Sequence, residues 1–466
     1  MRALLGLLVA SALLVAACDG TPPHEPAASS HSRRQTTRTA AGSQARASAS
    51  KLVDWTTYHA SNTRSGHVSQ GPHGALRRAW SKNLTGAVYG EPLVVGSTLI
   101  VATERNRVYG LNARTGAQRW VVHLGTAQPL SELPCGNIDP LGITGTPAYD
   151  TGSNLVFVVA ETSGGRHTLW ALRPGTGARM WHRSLDTQTD RNRMAEQNRA
   201  AVMVMHGRVI TTFGGLAGDC ADYVGYVTSM QTNGEGPVDG YAVPTAREGG
   251  MWATPGAVKA PNGNIYVASG NGAELDGRWD KSDSVTELTP KGLHRLGVFA
   301  PPSWRDDNVR DLDLGSMAPA VAPAVNRTVI AGKRGTVYLL RPSLGGVGSQ
   351  VRRLGGCTAF GGAAVVGRTV LMPCKGEYAI RALHVGASSL RWGWTRKGLY
   401  SSPVVAAGRV YVADERSGDL VVLGLAHGYV LGRHHAGPMP HFPSQIVSGD
   451  WVFVPTLDGV TAFRGS

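Results

Sequence analysis

Short apolar runs separated by glycine-containing turns recur along most of this chain. Pro92-Leu-Val-Val-Gly-Ser-Thr-Leu-Ile-Val-Ala and Pro403-Val-Val-Ala-Ala-Gly-Arg-Val-Tyr-Val-Ala each read as strand, tight turn, strand. Further starts stand at Pro147, Pro255, Pro319 and Pro443, and two without proline near Ala201 and Gly362. Proline suits the first residue of a strand, where no ladder donor is needed. No stretch carries an amphipathic helical period. The eight starts leave about 52 residues per unit over residues 51–466, close to the ~40–50 of a four-stranded propeller blade. The last unit, Pro443 to Ser466, is too short for four strands, and an early segment such as Arg78 to Leu84 would complete it. The expectation is an all-β, eight-bladed propeller of four-stranded antiparallel blades over residues 51–466. Pairing of its N- and C-terminal strands would close the ring and leave no exposed sheet edge.

A second repeat lies inside the first. Gly110-Leu-Asn-Ala-Arg-Thr-Gly-Ala-Gln-Arg-Trp120 matches Ala171-Leu-Arg-Pro-Gly-Thr-Gly-Ala-Arg-Met-Trp181. Ala382-Leu383 to Trp392 keeps the same ends without the Thr-Gly. The Thr-Gly step supplies a tight turn. The Trp that follows is expected to dock into the next blade, burying ~150–250 Å². Trp120, Trp181 and Trp392 are therefore read as structural.

Residues 1–50 follow another pattern. Arg2 precedes an apolar run, Ala3 to Ala17, and then Cys18. This is the layout of a secretory signal. Val15-Ala16-Ala17-Cys18 resembles a bacterial lipobox, which implies removal of residues 1–17 and acylation of Cys18. Residues 18–50 then form the lipidated Cys and a tether, since 19–50 have no Val, Ile, Leu, Phe, Tyr or Trp to bury. The expected location is the cell membrane, lipid-anchored on the extracytoplasmic side. Export and an even number of remaining cysteines favour disulfides. Cys357 pairs with Cys374 across one hairpin or two neighbouring strands, and Cys135 with Cys220 by elimination; sequence proves neither connectivity. The net charge of +14 has no basic helix or Lys/Arg run behind it, so nucleic acid is not an expected partner, and a monomer is expected.

The Ala-x-Asp-x-x-Thr-Gly-x-x-x-Trp pattern, with the opening Asp54-Trp-Thr-Thr-Tyr-His-Ala-Ser-Asn-Thr-Arg-Ser-Gly66, resembles the PQQ-like (quinoprotein-type) β-propellers. That family includes PQQ- and calcium-dependent alcohol and sugar dehydrogenases. It also includes lipoprotein scaffolds that bind no cofactor, among them the propeller of the outer-membrane barrel-assembly machinery. The enzyme reading implies four residues. Gly249-Gly250-Met251-Trp252 resembles the segment with the quinone-stacking Trp, and Ser269-Gly270-Asn271-Gly272 resembles the Gly-Asn calcium segment. Asp219 would be a second metal ligand, and Asp283 the catalytic base. The adjacent cysteines of those enzymes are missing, and Asp219 is shorter than the family's Glu. Trp304-Arg-Asp-Asp-Asn-Val-Arg-Asp-Leu-Asp-Leu-Gly315 holds Asp306, Asp307, Asp311 and Asp313, read here as a solvated, Arg-compensated loop. Lys333 fits no phosphate-loop pattern.

Three functions follow. The first is a lipid-anchored binding or scaffold protein of the cell envelope, meeting a protein or polymer and using no cofactor. The second is a PQQ- and calcium-dependent dehydrogenase. The third is a funnel that binds a small ligand or ion without chemistry.

Overall fold

The computed structural model describes residues 51–188 and 190–465; the signal, Cys18 and tether readings fall outside them. Eight sheets follow one another along the chain, each with at least four strands. Their innermost strands begin at Leu93, Ala148, Met203, Val258, Ala320, Ala364, Val404 and Ile446, and head blades 1 to 8 in that order. Within each blade four strands pair antiparallel from the innermost outward, and blades 4 and 7 each gain a fifth, parallel strand. Blade 8 takes its outer strand from the start of the chain: Leu76–Asn83 pairs antiparallel with Gly459–Gly465. The architecture is an eight-bladed β-propeller closed by its two ends.

The strands read as unbroken apolar runs because both faces are covered. In the second strand of blade 1, Thr98–Ala102, alternate side chains go opposite ways. Leu99 and Val101 pack with Val452 and Val454 of blade 8, while Ile100 and Ala102 pack with Val156 and Val158 of blade 2. A residue spacing of two thus joins each blade to both neighbours.

Tryptophans lock the rim. Trp120 lies on the Arg173–Gly177 turn of blade 2, where its Nε1 donates to the Pro174 carbonyl at 3.1 Å. Trp181 lies on Gly234 of blade 3. Gly177 has φ 70° and Gly234 φ 81°, and a Cβ on either would sit 2.5 Å or 2.7 Å from the Trp ring. Glycine is required twice over at these turns, by conformation and by contact. Trp80 does the same on Gly116 of blade 1, and Trp394 on Gly428 of blade 7. Trp392 does not take this role. Gly110 faces Trp120 and Ala171 faces Trp181, but in blade 6 it is Leu383 that faces Trp392. The turn without Thr-Gly shifts the register, so Trp392 points back to blade 5 and donates to the Gly355 carbonyl at 2.9 Å.

The acidic segment is also not a solvated loop. Trp304–Arg310 is a helix, α1, with two acidic residues in its first turn and Asp311 as an αL cap. Asp307 and Asp313 are buried.

Candidate functional site

The opening segment threads the central channel. Val94 of blade 1 receives the Trp55 N–H, and Tyr149 of blade 2 donates to Thr56. Asn62 Nδ2 donates to Val204 of blade 3, and Lys259 of blade 4 donates to Asn62. Val365 of blade 6 donates to Ser65, Val405 of blade 7 donates to Gly66, and Ser448 of blade 8 bonds Val53. Residues 53–66 thus plug the channel, touching seven of the eight innermost strands. Arg64 pins the plug through Thr57 Oγ1 and the Tyr58, Val202 and Ala257 carbonyls.

One position recurs in every lead-in, and in blades 1, 2, 3, 4 and 8 it lines a single axial pocket. Four residues before each innermost strand stand Tyr89, Thr144, Arg199, Thr254, Ser316, Phe360, Tyr400 and Phe442. Trp252 lies two residues ahead of Thr254 in the lead-in to blade 4. Its ring centroid is 6.2 Å from Phe360 of the blade 6 lead-in and 6.0 Å from Phe442 of the blade 8 lead-in. Aromatics from blades 4, 6 and 8 meet only by crossing the axis. Three cations surround them. Lys333 Nζ is 5.6 Å from the Trp252 centroid, Lys375 Nζ 4.2 Å from that of Phe442, and Arg199 Cζ 5.3 Å from it. Such contacts contribute about 0.5–2 kcal/mol each.

The structure brings three of the four enzyme candidates to this wall and leaves one out. Asp219 Oδ1 accepts the Tyr223 hydroxyl at 2.5 Å. Asn271 Nδ2 donates to Glu248 Oε2 at 3.1 Å, and Glu248 pairs with Arg247. Burial raises the Tyr223 pKa, and the charges of Asp219, Glu248 and Asp313 push it further the same way. Asp283 instead lies behind the wall. It is fully buried, and its Oδ1 accepts the Leu314 N–H at 2.5 Å. Burial, and next the charge of Asp307, raise its pKa far above the carboxylate range. The carboxylate beside Trp252 is Asp313, whose Oδ2 is 2.8 Å from Lys333 Nζ. Burial pushes Asp313 up to about 6, although Lys333 pulls it down. Burial pulls Lys333 down, but Asp313 and Asp311 outweigh it and hold the ammonium above its usual value.

These residues do not fit a calcium–quinone pair. Calcium takes six to eight oxygens around one point. Among the described residues the one set of three acidic, His or Cys ligand atoms within 4.8 Å of one another is Cys357, Cys374 and Glu377. Both of those cysteines are spent in a disulfide. Asp219, Glu248 and Asp313 therefore do not close on a common point, and each is already held by Tyr223, Arg247 and Asn271, or Lys333. The Trp252 ring meets Phe360 and Phe442 at 51° and 53°, not as a parallel slot.

Two disulfides brace the loops around the site. Cys135–Cys220, with Cα atoms 6.2 Å apart, ties the blade 1–2 connection to the loop that carries Asp219. Cys357–Cys374, at 4.7 Å, ties the blade 6 lead-in to the end of the Thr369–Cys374 strand. Sequence reasoning missed Arg199, Phe360, Phe442 and Lys375. For the first three the usable signal was the fixed offset before each repeat start.

Comparison with known proteins bears on the fold. A family model described as outer membrane protein assembly factor BamB matches residues 56–278. No curated protein matches the sequence. Among solved structures, quinohemoprotein alcohol dehydrogenase from Comamonas testosteroni superposes with a TM-score of 0.68 at 18% identity, over 90% of this chain and 82% of that one. A europium-containing methanol dehydrogenase gives 0.68 at 15% identity, over 88% of this chain and 98% of its own. BamB from Moraxella catarrhalis gives 0.55 at 14% identity, over 84% and 98%. In fold and repeat pattern, this chain is a PQQ-like (quinoprotein-type) β-propeller.

Proposed function

We propose that this chain is a binding or scaffold propeller of the cell envelope, held at the membrane by a lipid on Cys18 and meeting an envelope protein or polymer. The observation that carries this reading is the mutual engagement of the axial donors. Asp313 is committed to Lys333, Asn271 to Glu248, and Asp219 to Tyr223, so a metal and a quinone would have to displace existing bonds. A general base must reach the proton it removes, and Asp283 is sealed from the axis. The match of residues 56–278 to the BamB model supports an envelope setting, as do two disulfides.

Cell fractionation tests the anchor. Cys18→Ala is expected to block processing of the leader and to shift the protein out of the lipid-modified membrane fraction. Radiolabelled fatty acid should enter the wild type alone. A Cys18→Ala protein that is processed, labelled and fractionated like the wild type would overturn the lipid anchor.

A further inference from the structure

We propose that the rim of the propeller is a binding belt for a linear polyanion of the cell envelope. The proposal rests on the reading of this chain as a binding propeller, and it names the chemistry of the partner.

Charge is divided unevenly between the parts of this fold. Counted outward from the axis, the fourth strands of the eight blades together carry thirteen Arg and Lys residues and one acid, Asp239. Blade 8 contributes Arg77 and Arg78, blade 5 Arg352 and Arg353, and blade 6 Arg391 among others; all five are exposed. The opposite sign dominates at the axial end. There the lead-ins to the blades and the loops between second and third strands hold twenty-one acids against thirteen cations. A basic composition alone would spread over both regions. Charge of either sign blocks pairing at a sheet edge, so edge protection accounts for charged strands and not for a single sign. Of the thirteen cations in the belt, only Arg433 has a carboxylate within 4.0 Å among the described residues, from Asp414 and Asp419.

Like charges gathered on one belt repel one another. A polyanion relieves that repulsion and releases the counterions held along both surfaces. Eleven of the thirteen cations are Arg, whose planar fork pairs with a carboxylate or a phosphate through two parallel N–H···O bonds. The belt runs over the fourth strands of seven of the eight blades. A flat bilayer would meet only the few blades on one side, whereas a flexible chain can follow the circumference. The repeating anion can be a phosphodiester or the carboxylate of an acidic sugar, since the same fork takes either.

Fluorescence anisotropy of end-labelled polymers, titrated with the full chain in neutral detergent micelles, separates these sources. The probes are a glycerol-phosphate teichoic acid, polygalacturonate and neutral dextran. Saturable binding is expected for at least one polyanion and none for dextran, and the tighter polyanion identifies the source. Affinity should fall at least ~10-fold between about 50 and 200 mM salt. The double variants Arg352→Gln with Arg353→Gln, and Arg77→Gln with Arg391→Gln, change exposed side chains only. Each should weaken binding at least ~3-fold at an unchanged melting temperature. Arg105→Gln with Arg278→Gln removes the same charge from the acidic end and should leave the affinity as it is. Equal losses in that control and in the belt variants would overturn the belt, because net charge alone would then explain them. So would the absence of saturable binding by either polyanion. Displacement of bound polymer by micelles carrying phosphatidylglycerol would assign the rim to a lipid surface and overturn it as well. A dye-linked dehydrogenase activity would overturn the proposed function and leave this result standing.

Discussion

At the rim, Trp80, Trp120, Trp181 and Trp394 make one contact four times, each ring on the turn glycine of the next blade. At the axis, one repeated position carries Tyr, Thr, Arg, Thr, Ser, Phe, Tyr and Phe in turn. The same eightfold scaffold is thus repetitive where the task is identical and varied where it is not. Every rim site must join two blades, and four of the eight copy one solution. The lead-ins converge on one place, and the eight blades bring five different residue types to this position. Periodicity in the chain gives both place and residue type at the first kind of site, and only the place at the second.

The rim predicts the largest effects. Trp120→Ala should cost about 3–5 kcal/mol in chemical denaturation, the range for deleting a large buried aromatic. Trp394→Ala should fall near it, whereas Trp392→Ala should cost only about 1 kcal/mol, since its ring sits on no turn glycine of the next blade. Equal losses for Trp392 and Trp394 would break the contrast between docked and undocked rings.

The disulfides carry effects of similar size. Loop closure predicts about 4–5 kcal/mol for Cys135–Cys220, which spans 85 residues, and about 3 kcal/mol for Cys357–Cys374, which spans 17. Paired Cys→Ser variants, measured by denaturant midpoint, check the order. A larger loss from the shorter loop would show that native packing outweighs chain entropy.

A smaller effect separates the two regions by pH. Burial raises Glu91, Glu104 and Glu196 to about 7. Each binds more protons folded than unfolded, so stability falls as pH climbs from about 4.5 through 7. Burial lowers His59 to about 3, which opposes this trend, but only below about 6.5. His167 is pulled down by burial and held up to about 10 by Glu161 and Asp186, so its stabilisation is lost between about 6.5 and 10. From pH 6.5 to 10 these signs agree, and the melting temperature should fall steadily. Glu104→Gln should flatten the first part of that fall, whereas Trp392→Ala should not change the slope.

Most of the fold was legible in the chain. All eight innermost strands start within three residues of the repeat starts, because a Pro and a glycine hairpin mark them locally. The closing strand was legible from the shortfall of the last unit. Trp392 was misassigned because a turn without Thr-Gly changes the register, and a period of two then sends alternate residues to opposite faces. Asp283 and Asp313 are not separable in one dimension. Both sit among turn-forming neighbours, and only the third dimension puts one behind the wall and the other on Lys333. Arg199 was invisible for the same reason: a lone Arg before a strand reads as solvated until the channel closes around it.

The central proposal is that this propeller serves as a scaffold and that its axis carries out no quinone-dependent oxidation. It is tested most directly by adding PQQ and Ca²⁺ to the purified chain and following dye reduction with a panel of alcohols and sugars. The account predicts no PQQ-dependent reduction above the rate of the Trp252→Ala variant. PQQ-dependent turnover that disappears in a folded Asp313→Asn protein would contradict it.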